Sequence, residues 1–535
     1  MKMLIIGLDG ATWDVLDDYL LAHHMPNLMS LRTGGCSGTL RSTEPPITAA
    51  SWTTFLTGCS PRIHGVIGWH EYRFDEDRLR ISTSEQRLVP TMWQELSEQG
   101  YKIASINVPW TYPCAPINGI MAAGYGCPGP ASEFVYPPEF KAELLDHIPD
   151  YEIMAQWRGQ EDYTLSELDD NLKRVERSLE QKVEAAELIC GKLAWDVLMV
   201  QFHDTDSMEH HIWSYLDKQS RGGFAQHRDR VFKTFEKLDE MIGRLLKLAG
   251  AEDSCVIVVS DHGLTRRKGK VRANVLLRDW GYLKPKGLIA QMMQRHQRKR
   301  FVASLGREAG AEKKRGIKQP RDYDFDWLSS KAMVIDVAIN GHLYVNVKGR
   351  QPNGKVAPGP EYDEIIEDLT KRFSEVVHPA TGEKMFTAVG TPEDIYGFQG
   401  DAWRKYGDLV LVPQIGYELV LGTSRTGEFL QMATDRSLKG YHSYNGIYIF
   451  CGKGIRAGAG GETAMIDMAP TIYAALGASL PSYMDGKVKA DAFAEEKAVA
   501  YHESDVSAFQ QVRAGLSETE EAEVAERLRA LGYVE

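Results

Sequence analysis

Six short apolar runs constrain this chain more than any other feature: Met3–Leu8, Ile103–Val108, Val197–Phe202, Cys255–Ser260, Leu409–Val412 and Ile447–Cys451. Each has the length of a strand and is too uniformly apolar to be half exposed, the pattern of a parallel strand covered on both faces. Helical patterns separate them. Thr91–Gln99 stops at Gly100, Leu165–Leu193 is long and charge-patterned, and Arg228–Leu248 stops at Gly250, where glycine suits a C-cap. Strand, helix and strand in alternation predict a three-layer α/β/α sandwich around a mostly parallel, doubly wound sheet.

With 535 residues the chain can hold more than one domain. The expected division is a core formed by residues 1–283 and 401–535, with an inserted lid or cap over 284–400. Within the insert, 284–325 is rich in Lys and Arg (Gln294–Arg300, then Lys313–Arg315). It reads as a solvated helix with a mobile loop, or as a basic lid over an anionic substrate. Residues 349–400 combine a Pro/Gly turn, an acidic helix and a return strand. At the end of the chain, Ser517 and Glu520 have capping-box spacing before a helix that Gly532 stops.

Charge excludes one class of partner. Lys plus Arg is 62 against 74 for Asp plus Glu, a net charge of −12, which argues against a nucleic-acid footprint over the whole protein. An acidic total leaves an anionic substrate open, because a bound metal outweighs distant surface charge. Seven dispersed cysteines without a CxxC pair read as reduced thiols. The apolar run at the amino terminus is too short for a signal-peptide core, and no stretch reaches the roughly 18 apolar residues of a spanning helix. A soluble, cytoplasmic protein with no membrane span is expected; the oligomeric state is not readable.

Three of the apolar runs end in metal-type residues: LIIGLDG at Asp9, LMVQFHDTD at Asp204 and Asp206, and VIVVSDHG at Asp261 and His262. In open α/β sheets the functional crevice lies beyond the carboxyl ends of the strands. Asp206 and His210 are spaced i, i+4, so a helical turn puts both on one face. Adjacent Asp261 and His262 bind one ion together only across an irregular turn. His442 precedes the last apolar run. Oxygen and nitrogen ligands without thiolate suit Zn²⁺ or Mn²⁺ in an open site. In EPPITAASWTTFLTGCSPRIHG, Pro45 and Pro46 keep the approach extended and Thr48 opens a helix that Gly58 and Pro61 end. By itself Thr48 reads as an N-cap. As a nucleophile it would gain from the unpaired N–H groups and the dipole at that end.

The ordered set GLDG, PPIT with W and FLTG, PRIHG, DTDSMEHHIW, SDHG, GYHSYNG and IDMAPTIYAALG with MDG resembles the alkaline phosphatase superfamily, in its type I phosphodiesterase and nucleotide pyrophosphatase branch. The resemblance spans most of the chain. It implies a phosphate-ester hydrolase with two divalent cations, Zn²⁺ or else Mn²⁺. Asp9, Thr48, Asp261 and His262 would hold one and Asp206, His210 and His442 the other. Thr48 would form a phosphothreonine in the first of two in-line displacements. Asp204, His203 and His211 crowd the same motif, and Trp52 and His64 match framing positions. The branch carries an Asn after the His-Gly pair where this chain has Trp69, whose indole N–H is the candidate substrate donor. The alternatives are a phosphomonoesterase or phosphomutase of the superfamily, or a non-catalytic binding protein that kept the fold. A phosphomutase would use Ser as nucleophile, and the Cys59-Ser-Pro-Arg62 run misses the sulfatase spacing.

Overall fold

The first apolar run forms the strand Lys2–Leu8, and in a computed structural model of the protein it lies within a nine-stranded sheet. The structure describes residues 2–74, 76–158, 163–216, 225–250, 254–287, 324–336, 338–422, 427–434, 439–509 and 515–531. Across the sheet the strands run Gly458–Ala464, Cys36–Arg41, Asn445–Gly452, Ser254–Val259, Lys2–Leu8, Val197–Phe202, Ile103–Val108, Gly119–Ala123 and Val135–Tyr136. Five of the eight pairings are parallel, so the sheet is mostly parallel, as expected. The run at Ile447–Cys451 is in this sheet but antiparallel to both neighbours. Apolar composition reports burial on two faces and carries no strand direction.

Alternation then places the layers. Met3 and Ile5, with Met199 and Ile257, share a core cluster with Trp52 and Phe55 of the helix Thr48–Thr57 and with Ile472 of the helix Met468–Leu476. Leu4 and Ile6, on the opposite face, are equally buried. The helices Leu165–Cys190 and Ala225–Ala249 pack on each other and against the strands. The first opens with a Thr164–Glu167 capping box and buries Leu168, Leu172, Val175, Leu179 and Val183 at helical spacing. Register matters most for function. Leu8 lies beside Phe202 and Gly7 beside Val259, so the residues that follow, Asp9, His203 and Asp261, leave the sheet at one end.

That sheet belongs to a unit made of Met1–Gly68, Ser82–Arg267 and Thr434–Gly515. A second unit comprises Trp69–Ile81, Lys268–Ala433 and Leu516–Glu535. Its four-stranded sheet, ordered Ala332–Asp336, Gly341–Val345, Leu409–Pro413 and Phe386–Gly390, is wholly antiparallel, so the Leu409–Val412 run is not a strand of the large sheet. The helix Pro360–Ser374 buries Ile365, Leu369 and Phe373. These bounds differ from the expected 284–400 insert. The hairpin His70–Arg73 and Arg78–Ile81 joins the second unit from afar, and so does the helix Glu518–Leu531, whose Glu521 pairs with Arg78 and Arg80 at 3.2 Å. Contacts so remote in sequence leave no mark of composition at a boundary. The Ser517–Glu520 capping box forms as expected. Gln294–Arg300, Lys313–Arg315 and Gly532 lie outside the described residues. Among the described residues no helix is long and apolar enough to cross a membrane.

Candidate metal centre

Thr48 is the first residue of its helix, after an extended Ile47, and is not the N-cap. The first helical hydrogen bond runs from Ser51 N–H to Ile47 O at 2.9 Å, so the N–H groups before Ser51 have no partner within the helix. All ten residues of Thr48–Thr57 are buried. Such a helix must satisfy its own hydroxyls: Thr53 and Thr57 donate to carbonyls one turn back at 2.6 and 2.8 Å, and Thr54 meets His64 Nε2 at 2.9 Å. Burial, then the nearby Arg87, pushes His64 down to about 3, so it frames the helix as a neutral ring. Thr48 Oγ1 is turned the other way, 3.4 Å from His262 Nε2.

His262 in turn is grouped with Asp9 and Asp261, the ligand atoms of the three all lying within 4.8 Å of one another. The chain leaves Ser254–Val259 in a bend at Asp261 and His262 before the strand Gly263–Arg266. This is the irregular turn that adjacent ligands need. His262 Nε2 is 3.2 Å from Asp261 Oδ2 and 3.6 Å from Asp9 Oδ1. Both of those carboxylate oxygens are buried and have no hydrogen-bond partner among the described residues. Gly10, at φ +69°, is what lets the loops meet. A Cβ there would stand 2.3 Å from Leu264 Cδ1 and 2.8 Å from Asp206 Oδ1. Its N–H donates to Asp261 Oδ1 at 3.2 Å.

A second group, Asp206, His210 and His442, forms where the helix Asp204–Leu216 meets the strand Gly440–Ser443. The expected i, i+4 pair closes to 3.4 Å, and His442 Nε2 is 3.1 Å from His210 Nε2 and 3.8 Å from Asp206 Oδ1. His210 Nδ1–H donates to Gly440 O at 2.9 Å and His442 Nδ1–H to Pro46 O at 3.0 Å. A ring nitrogen facing a carbonyl carries the proton, so both Nε2 atoms present lone pairs toward one carboxylate. Those lone pairs fit a shared cation.

Electrostatics point the same way. Burial, then Asp206, drives the Asp9 carboxyl well above the usual range, and burial, then Asp9, does the same to Asp261. Burial opposes ionisation of Asp206 too, but the facing imidazoles of His210, His442 and His262 hold it well below. Burial, then His262, pushes His442 well below the imidazole range. Two ionised carboxylates at such separations repel by about 4 kcal/mol at an effective dielectric constant of about 20. Divalent cations remove that repulsion, and the donor set of carboxylate oxygen and imidazole nitrogen matches them.

The crowded motif separates cleanly. Asp204 accepts from Ala155 N–H and from Ser178 Oγ, both at 2.8 Å, and Lys182 Nζ donates to the same Ser178 Oγ at 2.9 Å. His211 meets the Tyr163 hydroxyl at 3.0 Å and stacks on Trp157 at 4.7 Å. His203 Nδ1–H donates to Asp9 Oδ2 at 3.0 Å. Trp69 is buried and belongs to the second unit, whereas both metal groups belong to the first. Sequence reasoning missed Gln201, which donates to Asp9 Oδ2 at 2.6 Å; its signal was one carboxamide inside an apolar strand. Asp206→Asn is expected to cost one bound ion per chain, while Asp204→Asn lowers stability by about 1–3 kcal/mol with metal content unchanged. Metal analysis beside thermal unfolding checks both. Equal metal loss in the two variants would contradict the assignment.

The type I phosphodiesterase / nucleotide pyrophosphatase family matches residues 3–445. No curated protein matches the chain. Among solved structures, alkaline phosphatase PafA is similar at 15% identity and TM-score 0.53, covering 92% of this chain and 98% of that one. Phosphonoacetate hydrolase from Sinorhizobium meliloti 1021 is similar at 14% identity and TM-score 0.51, covering 84% and 90%. Human ectonucleotide pyrophosphatase / phosphodiesterase 5 has 14% identity and TM-score 0.49, covering 89% and 95%. At these identities the first two likenesses bear on fold alone, and they agree with the mostly parallel sheet.

Proposed function

The chain belongs to the type I phosphodiesterase / nucleotide pyrophosphatase family and is a metal-dependent phosphoric ester hydrolase, and from that premise we propose that it cleaves phosphodiester or nucleotide pyrophosphate bonds through a phosphothreonine at Thr48. One ion is held by Asp9, Thr48, Asp261 and His262, the other by Asp206, His210 and His442, a reading supported by the two groupings of ligand atoms. Zn²⁺ suits both sets, with Mn²⁺ the alternative. When bound, the cations supply Lewis-acid activation of the hydroxyl and neutralise charge on the leaving oxygen. The observation that carries the reading is the Thr48 hydroxyl at a buried helix amino terminus, 3.4 Å from the His262 imidazole.

The residues divide the work. Thr48 Oγ1 gives up its proton to solvent and bonds to phosphorus as the P–O bond to the leaving group breaks, and the departing oxygen takes the electron pair and then a proton from solvent. The N–H groups at the start of the helix face the phosphoryl oxygens, and their dipole favours the charge gathered there. Water then attacks the phosphothreonine in line, returning the Thr48 hydroxyl and releasing phosphate monoester. Trp69 stands in the sequence where the nucleotide-cleaving branch carries an Asn, so the organic part of the substrate need not be a nucleotide.

A phosphomonoesterase is the second reading. Arg266 favours it, lying on the Gly263–Arg266 strand two residues from Leu264, which pairs with His442, so that it shares their face of the ribbon. Hydrolysis of bis-p-nitrophenyl phosphate, p-nitrophenyl phosphate and ATP, each with Zn²⁺ and with Mn²⁺, separates the readings. The diesterase reading expects bis-p-nitrophenyl phosphate or ATP to be preferred over the monoester by at least about tenfold in kcat/KM. Preference for p-nitrophenyl phosphate overturns it. All seven cysteines are free thiols, which supports a cytoplasmic setting.

A further inference from the structure

Asp9 stands between the two groups of ligands and is the carboxylate with the most to decide. One oxygen, Oδ1, faces His262. The other, Oδ2, accepts three hydrogen bonds: from Trp52 Nε1 at 2.9 Å, from Gln201 Nε2 at 2.6 Å and from His203 Nδ1 at 3.0 Å. A carboxylate oxygen has two lone pairs, so three donors saturate it and leave Oδ1 as the ligand atom. All three donor side chains are buried, and none belongs to the ligand sets proposed above.

The donors are themselves held. Asn107, at φ +63°, donates from Nδ2 to the Gln201 carbonyl oxygens, 3.1 Å to the backbone and 3.4 Å to Oε1, which turns the Gln201 N–H group toward Asp9. Tyr125 stacks on the His203 ring at 4.1 Å and 16°. Trp52 rests edge-on against Phe55 at 5.4 Å. Gly7 makes the room: a Cβ there would lie 2.8 Å from both Gln201 Cγ and Trp52 Cη2. The glycine that opens the GLDG motif therefore clears space for two of the donors, as the one that closes it clears space for Asp206.

We propose that Trp52, Gln201 and His203 are positioning residues that fix Asp9 as a single-oxygen ligand and so set the affinity of the ion at the Asp9, Asp261 and His262 group. The inference rests on the two-ion reading above. Asp9, His203 and Asp206 also lie close enough to hold an ion of their own. With Nδ1–H given to Asp9, the ligand atom in that rival use is the buried Nε2, which has no hydrogen-bond partner among the described residues, and the count of bound ions separates the two uses.

The test is titration of metal-stripped full-length protein with Zn²⁺ alone, following stoichiometry and affinity by calorimetry with chelator competition. Unmodified protein is expected to bind two ions. Trp52→Phe, Gln201→Leu and His203→Leu should each weaken one of the two by about 10- to 100-fold and leave the other within about threefold. His203→Asn, whose amide N–H can stand in for Nδ1, should recover most of the loss. Trp52→Phe keeps the ring in the core, so it remains informative if the strand variants fold poorly. Equal weakening of both ions, or no weakening in folded variants, overturns the proposal. So does a third ion in the unmodified protein that His203→Leu removes. An unmodified protein that binds no ion sinks the two-ion reading itself.

Discussion

Thr48→Ala is expected to lower kcat on the order of 10⁴-fold or more, the scale seen when a covalent nucleophile is deleted. The fold should hardly notice. Alanine is the better helix former, Thr48 is not a capping residue, and among the described residues its hydroxyl has one side-chain neighbour at hydrogen-bond range, His262 at 3.4 Å. Six of the seven proposed ligands survive the change, so bound metal should remain near two ions per chain. Thr48→Ser restores a hydroxyl on the same helix turn and should recover much of the rate. Rapid quench with a phosphorus-labelled diester adds a readout independent of turnover: label on Thr48 in the wild type, on the substituted hydroxyl in Thr48→Ser, and none at that position in Thr48→Ala. Steady-state hydrolysis by folded Thr48→Ala within about tenfold of wild type would take Thr48 out of the chemistry and leave the metal groups in place.

The strand ends were legible because burial forces apolar strands, and a carboxylate or imidazole placed straight after one is costly unless it has a use. Asp9, Asp261 and His262, together with the pair Asp204 and Asp206, could therefore be picked out as candidates from position. The i, i+4 spacing brought His210 in, while His442 lay far off and entered through the resemblance. The resemblance chose Asp206 over Asp204 by its spacing to His210, and the helix phase agrees: the first turn points Asp204 at Ala155 and Ser178 and Asp206 at the histidines. The supports of Asp9 were hidden for a different reason. Trp52 and Gln201 reach it from elements 43 and 192 residues away, and no local pattern records such a meeting. Strand direction was likewise invisible, as Ile447–Cys451 and Leu409–Val412 show. The second unit draws on three separate stretches, and composition along the chain could not show that the first and last of them join the middle one.

Stripping the ions should destabilise the first unit, and the loss should grow as pH rises. Without cations, the folded state raises the Asp9 and Asp261 carboxyls well above the value near 3.9 that they have in an unfolded chain. A raised carboxyl gives stability that is complete below the unfolded value and lost as pH climbs through the folded one. Asp206 runs the other way, but stability from a depressed carboxyl is complete above the unfolded value and is lost only as pH falls below it. The net expectation is a metal-free protein that weakens steadily from about pH 4 upward. The loaded protein moves oppositely, because imidazole and carboxylate ligands must be deprotonated to bind, so affinity increases over the same range. At a thousandfold excess over Kd each ion adds about 4 kcal/mol, and two ions should raise Tm by roughly 10 °C at pH 8. At pH 5 the gap between chelated and loaded protein should be well under half of that. Scanning calorimetry at pH 5, 6.5 and 8, with and without chelator, reads the gap directly. A gap that is constant or shrinks toward pH 8 would mean that the buried carboxylates are not what the cations neutralise.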